Sequence, residues 1–455
     1  MILALLSQIL NVLGIISQVH WSSQTDYFTA AVYEHVRLGN DDPFQITIQK
    51  NLALYAEVTG RAAAAGADII VFPEYGLCKG KSTRHENRKI LEHIPNPYKE
   101  NWNPCVQKEK FRDRPILTKL SCIAKVNGIV LVANMGDLQP CQISQDPHCP
   151  SDGEYHYNTN VAFGRDGTLL ARYHKMHLFF ETTYNIPSTP EYAIFNTDFG
   201  VMGMFICFDI IFEDAMKLVK DYGVQTVLFP TWWFDELPFL AAHQFQEAWS
   251  LGLRVNLLAA NMHQPSVGTL GSGVYSGTQG VLNYTHIPDG KPKLLFAKLP
   301  KNPHKWHFKN NIQPRPIPLQ DRFKSSFFEY DKNALKENFY LAVFKGIRNV
   351  KDHYFWCEEV CLLAACRSQK SNQCSSFPTT TKTIFTKIKL SGNFSTRYVY
   401  PNVLTSSLYL QPLAKWTFSM SHQLKELVTM PTLTDPVLSA NLYGRCYDRD
   451  PMYRT

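Results

Sequence analysis

The sequence lacks the short patterns that hold metal ions and nucleotides. Its 455 residues include 15 histidines and 11 cysteines, yet they form no Cys-x-x-Cys pair and no His-Glu-x-x-His run. A glycine-rich phosphate loop is also missing. We therefore expect neither a metal site nor a cofactor.

Long hydrophobic runs and basic blocks are scarce too. Beyond the N-terminal segment no stretch reaches the ~18 apolar residues of a membrane-spanning helix, and the last residues form no hydrophobic tail for a lipid anchor. The formal net charge of +7 comes from 46 basic and 39 acidic residues, which are interleaved along the chain. This pattern predicts a globular protein without nucleic acid as a partner and without stable membrane insertion.

The N-terminus is apolar from residue 1 to about residue 16 and then becomes polar at "QVHWSSQTDYF". This predicts a signal peptide over residues 1–24. The usual positive charges before the apolar run are missing, so an uncleaved anchor or a buried first strand fits as well. Asn283 in "NYT" and Asn393 in "NFS" are predicted glycosylation sites. Together these features predict a secreted, extracellular protein.

Alternating strand and helix patterns over residues 25–300 predict an α/β domain with a helix-covered sheet. The predicted strands are 27–35, 67–74, 128–136, 157–164, 201–209, 225–232 and 255–263. The predicted helices are 44–66, 117–127, 213–223 and 236–253. A segment rich in Pro, Lys and Asn predicts a linker over 301–326, and short β-rich runs predict a smaller β-rich domain over 327–455.

Three residues at predicted strand ends suggest chemistry when they are taken together. Cys207 in "GMFICFDIIFED" is, on its own, a core residue, half of a disulfide or a nucleophile. Alone, Glu74 in "IIVFPEYG" is equally well a surface turn residue, and Lys175 in "RYHKMHLFF" is more simply a lysine that reaches the surface. A nucleophilic thiol needs a base and a cation, which these two supply. The set predicts acyl transfer through a thioester.

The segments "FPEYG", "RYHKMHLFF" and "GMFICFDIIFED" resemble the Glu, Lys and Cys motifs of the nitrilase superfamily of C–N hydrolases. The segments "YHYNTNVAFGRDGTLLARYHK", "AWSLGLRVNLLAANMH" and "CLLAACRSQKSNQC" resemble the branch that contains the vanins, which are pantetheinases, and biotinidase. The resemblance implies an αββα sandwich followed by a β-rich C-terminal domain. It implies Glu74 as general base, Lys175 as oxyanion stabiliser and Cys207 as nucleophile. Glu181 corresponds either to a second glutamate that positions the lysine or to a solvated loop carboxylate.

The resemblance favours the amide of pantetheine as the substrate, with hydrolysis of a biotin amide as the alternative. A catalytically inactive binding glycoprotein on the same scaffold is the alternative from another class. The segment "TWWFDELP" departs from the pattern of the branch and places Trp232 and Trp233 where substrate binding is expected.

The cysteine count is odd, and a nucleophile must stay unpaired. If Cys207 is the odd cysteine, the other ten can pair, although Cys78 and Cys446 are equally able to be unpaired. Short sequence separations suggest two disulfides, Cys105–Cys122 and Cys141–Cys149.

Overall fold

The computed structural model describes residues 26–303, 327–329, 338–370 and 373–453. The predicted signal peptide, residues 1–24, and nearly all of the predicted linker, residues 301–326, lie outside this part of the chain. The domain boundary at the linker therefore stays a prediction.

Two β-sheets covered by helices make up residues 27–300. Their strands are β1 (Tyr27–Glu34), β2 (Ile69–Val71), β3 (Leu91–Glu92), β4 (Val130–Pro140), β5 (Glu154–Phe163), β6 (Leu169–His174), β7 (Ala193–Thr197), β8 (Gly200–Met204), β9 (Thr226–Thr231), β10 (Asn256–Asn261), β11 (Ser272–Ser276), β12 (Gly280–Thr285) and β13 (Lys293–Pro300). The helices are α1 (Phe44–Ala64), α2 (Arg84–Arg88), α3 (Pro115–Asn127), α4 (Glu213–Lys220) and α5 (Ala242–Leu253), with 3₁₀ turns at Lys108–Phe111, Cys207–Ile211 and Pro265–Val267.

The two sheets pack face to face. The first has the order β13-β1-β2-β4-β5-β6 with β3 beside β4, and the second has the order β12-β11-β10-β9-β8-β7. Side chains alternate along β1: Ala30 and Val32 belong to the core between the sheets, whereas Ala31 and Tyr33 pack with α1 and α3. Helices α4 and α5 cover the second sheet. The predicted αββα sandwich is confirmed.

The predicted boundaries are shifted by up to six residues, and two elements differ most from their predicted bounds. The strand predicted over 201–209 ends at Met204, because the Asp209 carboxylate accepts a hydrogen bond from the Ile206 backbone N–H and the chain turns at Cys207. The helix predicted over 236–253 begins at Ala242, whose N–H is bound by the Asp235 carboxylate.

The C-terminal domain is built from strands. They are β14 (Phe327–Glu329), β15 (Asn338–Val350), β16 (Tyr354–Cys366), β17 (Ser368–Lys370), β18 (Gln373–Ser376), β19 (Lys387–Asn393), β20 (Val399–Thr405), β21 (Tyr409–Leu410), β22 (Trp416–Ser421), β23 (Leu424–Thr429) and β24 (Val437–Arg445). They form a β14-β19-β23-β22 sheet, a β15-β16-β24-β20-β21 sheet and a β17-β18 pair, with 3₁₀ turns at Ser406–Leu408 and Tyr447–Arg449. The predicted β-rich domain is confirmed.

Helix α5 lies between the two domains and is buried along nearly its whole length. One side packs on β11 of the second sheet, and the other packs on β20 of the C-terminal domain. The Glu247 carboxylate accepts one hydrogen bond from Val281 N–H and one from the Asn402 side chain, both at 3.0 Å. His243 Nε2 lies 2.7 Å from the Leu408 carbonyl oxygen. The domains therefore share a core as well as polar contacts.

Both suggested disulfides, Cys105–Cys122 and Cys141–Cys149, are confirmed, and Cys366–Cys374 is a third. Cys207 is reduced. The other ten cysteines do not all pair in this structure, because Cys78 and Cys446, which the sequence left open as unpaired, are reduced as well. Parity alone therefore does not single out Cys207.

Within the described ranges, no helix has the length and apolar character needed to cross a membrane.

Candidate active site

Glu74, Lys175 and Cys207 follow three strands that end at the same edge of the sandwich. Glu74 comes shortly after β2, Lys175 directly after β6, and Cys207 shortly after β8 of the facing sheet. Strand ends are where ligands bind in open α/β sheets, because the backbone leaves the sheet there and frees its side chains. The structure brings the three predicted residues together.

A buried ion-pair network joins Glu74, Lys175 and Glu181. Lys175 Nζ donates hydrogen bonds to Glu74 Oε1 at 2.8 Å and to Glu181 Oε2 at 2.6 Å. The Lys175 and Glu74 side chains are each 2% exposed, and Glu181 is 10% exposed. Burying charges is costly unless they are paired, so this arrangement holds the ammonium in one place. Glu181 is therefore not a solvated loop carboxylate.

Asn158, on β5, connects the two carboxylates. Its amide nitrogen donates to Glu74 Oε1 at 2.8 Å and to Glu181 Oε1 at 2.7 Å. Asn134 on β4 holds this amide in turn, since its own nitrogen donates to Asn158 Oδ1 at 2.7 Å. Tyr75 donates its hydroxyl to Glu181 Oε1. The network is thus anchored in two strands and restricts the carboxylates to one orientation.

Cys207 begins a 3₁₀ turn with a left-handed backbone conformation, φ 44°. For a residue with a side chain this conformation is strained and persists only where neighbouring contacts hold it. Asp209 supplies such contacts: its carboxylate accepts hydrogen bonds from Ile206 N–H at 3.0 Å, the Tyr173 hydroxyl at 2.8 Å and His177 N–H at 2.8 Å. Asp209 therefore ties the Cys207 turn to the segment that carries Lys175.

The three groups shift one another's pKa values. Burial raises the pKa of the Cys207 thiol well above its usual range; Glu74 adds to this rise and Lys175 opposes it. Burial also raises the pKa of the Glu74 carboxyl, against the lowering effect of Lys175. For Lys175, burial lowers the pKa, but Glu181 and Glu74 outweigh it and hold the pKa above the ordinary value. Burial thus favours the neutral thiol, which lies beside a carboxyl group suited to accept its proton and an amine whose two carboxylate partners favour the charged ammonium.

The two predicted substrate-binding tryptophans occupy different environments. Trp232 donates its backbone N–H to Glu74 Oε2 at 3.0 Å, and its half-buried ring meets Tyr75 edge-on at 5.8 Å. Trp233 is buried in the core, and its indole N–H donates to the Leu240 carbonyl at 2.9 Å. Trp232 therefore presents a ring surface beside the site, whereas Trp233 packs behind it.

The predicted glycosylation sites lie away from this cluster. Asn393 is exposed at the end of β19. Asn283 is half-buried on β12, and its amide nitrogen donates to the Phe296 carbonyl at 2.9 Å. Both assignments stay predictions.

Sequence reasoning missed Asn158, Tyr75 and Asp209 as parts of the site. All three lie in segments that were singled out for other reasons, "FPEYG", "GMFICFDIIFED" and "YHYNTNVAFGRDGTLLARYHK". For Asn158 the signal was an asparagine within the apolar strand pattern of "YNTNVAFG", where a polar amide needs a buried partner. In the part of the chain that the structure describes, no group of three or more His, Cys, Asp or Glu side chains is placed to hold a metal ion.

An αββα sandwich with a buried Glu–Lys–Cys set at its strand ends defines the class of carbon–nitrogen hydrolases. The family model of that name, Carbon-nitrogen hydrolase, matches residues 36–262. The model of the Vanin C-terminal domain matches residues 322–450. The chain is an enzyme that hydrolyses carbon–nitrogen bonds of amides.

Within this class, the chain belongs to the family of the pantetheinases and biotinidases. Pantetheinase of Mus musculus is 37% identical over 472 residues, which cover 94% of this chain and 91% of that protein. Pantetheinase of Homo sapiens is 35% identical and covers 94% of this chain and 91% of that protein. Biotinidase of Bos taurus is 33% identical and covers 94% of this chain and 93% of that protein.

Proposed function

We propose that this enzyme hydrolyses the amide of pantetheine to pantothenate and cysteamine through a thioester on Cys207. The observation that carries the mechanism is the buried Lys175 ammonium, held between Glu74 and Glu181 beside a reduced cysteine. The preference for pantetheine is supported by the relatives, since the pantetheinases named above are 37% and 35% identical and the biotinidase is 33% identical.

The first half of the proposed reaction forms the thioester. Glu74 takes the thiol proton while the sulfur attacks the amide carbonyl carbon, and the carbonyl electrons move to oxygen. Lys175 has three N–H donors, and its hydrogen bonds to Glu74 and Glu181 use two of them, so the third is available to the oxyanion. When the C–N bond breaks, the leaving nitrogen keeps the electron pair and takes the proton from Glu74. Cysteamine then departs.

The second half of the reaction returns the free enzyme. Glu74, ionised again, takes a proton from water, and the resulting hydroxide attacks the thioester carbonyl. Lys175 stabilises the second oxyanion in the same way. The C–S bond breaks, the sulfur regains its proton from Glu74, and pantothenate leaves. Burial raises the pKa of the Glu74 carboxyl, the direction that suits a group which gives back the protons it takes.

The test is hydrolysis of pantetheine and of a biotinyl-lysine amide side by side. Wild-type protein and Cys207→Ala are compared with Cys78→Ala, a matched control that removes another reduced cysteine. We expect wild type and Cys78→Ala to cleave pantetheine, and Cys207→Ala to cleave neither amide. An acid quench early in turnover should trap an acyl adduct on the peptide that contains Cys207, detectable by mass spectrometry.

The outcomes separate the parts of the proposal. Cleavage of the biotin amide alone would replace the substrate but keep the mechanism. Turnover by Cys207→Ala would refute the thioester. Absence of turnover in the wild-type protein on both amides would refute the choice of either substrate.

We further propose that the enzyme is secreted after removal of residues 1–24. The three disulfides support this, because disulfides persist in oxidising compartments. Expression of the full chain in mammalian cells, with N-terminal sequencing of protein from the medium, tests it. Mobility shifts on glycosidase treatment, compared with Asn283→Gln and Asn393→Gln, test the glycosylation sites. Retention of the unprocessed chain inside the cells would contradict the proposal.

A further inference from the structure

A tyrosine of the C-terminal domain touches both catalytic segments of the first domain. Tyr354, the first residue of β16, is 2% exposed. Its hydroxyl oxygen accepts a hydrogen bond from Phe180 N–H at 2.6 Å. Its ring stacks on Phe179, with centroids 5.2 Å apart, and meets Phe208 edge-on at 5.0 Å. Phe179 and Phe180 precede Glu181, and Phe208 follows Cys207.

The segment before Glu181 has a conformation that needs outside support. Phe180 lies in the left-handed region, φ 55°, which is unfavourable for a residue with a side chain. One peptide earlier, the Leu178 carbonyl accepts a hydrogen bond from the Tyr453 hydroxyl. Two tyrosine hydroxyls from the C-terminal part of the chain, those of Tyr354 and Tyr453, therefore bind backbone groups of this strained segment.

This segment also determines where the Glu181 carboxylate lies. Phe179 N–H donates to Glu181 Oε2 at 2.9 Å, and the same oxygen accepts the hydrogen bond from Lys175 at 2.6 Å. A change in the backbone at Phe180 would therefore move the carboxylate that Lys175 contacts. On the other side of Tyr354, the ring of Phe208 is packed between Tyr354 and Trp356, at 5.0 Å and 6.0 Å.

We propose that Tyr354 is a positioning residue through which the C-terminal domain completes the active site. It holds the segment of Glu181 against Lys175 through its hydroxyl, and it holds the turn of Cys207 through its ring. This inference rests on the proposed roles of Lys175 and Cys207. It gives the C-terminal domain a part in catalysis, which a purely protective cover would not have.

Tyr354→Phe separates positioning from packing, because it keeps the ring and removes only the hydroxyl. The matched control is Tyr409→Phe, which removes an exposed hydroxyl from β21 of the same domain. We expect Tyr354→Phe to lower kcat about ten- to hundredfold, as small displacements of catalytic groups do, with KM changed by less than about twofold. Tyr409→Phe should match wild type in both constants.

A second readout does not depend on which amide is the substrate. The rate at which iodoacetamide alkylates Cys207, followed by mass spectrometry across a range of pH, reports the apparent pKa of the thiol. If Glu181 withdraws from Lys175, the ammonium is less neutralised and favours the thiolate more strongly. We therefore expect the alkylation profile of Tyr354→Phe to shift to lower pH than that of wild type, and the profile of Tyr409→Phe to be unchanged.

A Tyr354→Phe protein with wild-type kcat and an unshifted alkylation profile would overturn the inference. If wild type cleaves neither amide, the proposed substrates fail, and the alkylation profile still decides on Tyr354. If Tyr354→Phe does not fold, Tyr453→Phe takes its place, since it removes the other hydroxyl from the same segment. A wild-type alkylation profile for that variant would likewise overturn the inference.

Discussion

Replacing Glu247 with glutamine should make the protein less sensitive to rising pH. Glu247 lies on α5 between the two domains and is fully buried. Burial raises the pKa of its carboxyl from 4.5 to about 7, and the hydrogen bonds from Val281 N–H and Asn402 only partly oppose this. No ion pair is described for Glu247 within the residues that the structure covers.

The direction of this pH dependence follows from the pKa values of the Glu247 carboxyl in the unfolded and the folded chain. Below 4.5 the carboxyl is protonated in both the folded and the unfolded chain, so it adds no pH dependence. Between 4.5 and about 7 the folded protein keeps a proton that the unfolded chain releases, and stability falls as pH rises. Above about pH 7 the carboxyl is ionised in both states, and the folded protein carries the full destabilisation from burying the charge. The difference between the unfolded and folded pKa values corresponds to roughly 3 kcal/mol of unfolding free energy.

Glutamine stays neutral and can keep the hydrogen bonds. Its amide oxygen can accept from Val281 N–H in place of Glu247 Oε1. Its amide nitrogen can donate to Asn402 Oδ1, which is buried without a hydrogen-bond partner among the described residues, once the Asn402 amide turns over. The substitution therefore removes the ionisable group at little structural cost.

The assay is urea unfolding near pH 5 and near pH 8 with the disulfides intact. We expect wild type to lose roughly 2 to 3 kcal/mol more than Glu247→Gln over this interval. Other buried carboxyls such as Glu92, whose pKa burial raises to about 7, titrate in both proteins and cancel in the comparison. Glu57→Gln, at a side chain that is 65% exposed, is the control and should behave as wild type. Equal pH slopes for wild type and Glu247→Gln would refute the reasoning.

Four further variants test other parts of the structure. Trp232→Ala should raise KM with little change in stability. Trp233→Ala should cost about 3–5 kcal/mol of unfolding free energy, because only the Trp233 ring is buried in the core. The reverse pattern would contradict these placements. Asp209→Asn should lower both kcat and the thermal midpoint, since an amide cannot accept all of the hydrogen bonds that hold the Cys207 turn. Unchanged kinetics would show that the turn keeps its conformation without the Asp209 carboxylate. Replacing Cys105 and Cys122 by alanine should lower the unfolding free energy, measured in urea, by about 3 kcal/mol, because the disulfide closes a loop in the unfolded chain. An unchanged urea midpoint would contradict this.

Much of the first domain is predictable because its apolar patterns have clear periods. The strands and helices that the sequence indicates between residues 27 and 263 are present, and the C-terminal domain is β-rich as expected. Predicted boundaries are wrong where a single side chain binds the backbone. Asp209 ends β8 earlier than predicted, and Asp235 binds the later start of α5. Hydrophobic periodicity does not register such local hydrogen bonds.

The proposed catalytic set was predictable for a different reason. Glu74, Lys175 and Cys207 each interrupt an apolar segment, and only their combination makes chemical sense. Which groups Asn158 and Tyr354 contact was not predictable, because these hydrogen bonds join distant parts of the chain. Sequence spacing does not reveal which distant side chains meet.

The burial of α5 has a practical consequence for attempts to make a smaller enzyme. A chain truncated before β14 would leave the α5 surface that packs against β20 without its cover. Phe245 would lose its contacts with the rings of Tyr400 and Tyr443, and Phe208 would lose Tyr354. A large apolar patch of this kind promotes aggregation in water. The catalytic domain should therefore be expressed, evolved and redesigned only together with its C-terminal partner, as a single folding unit.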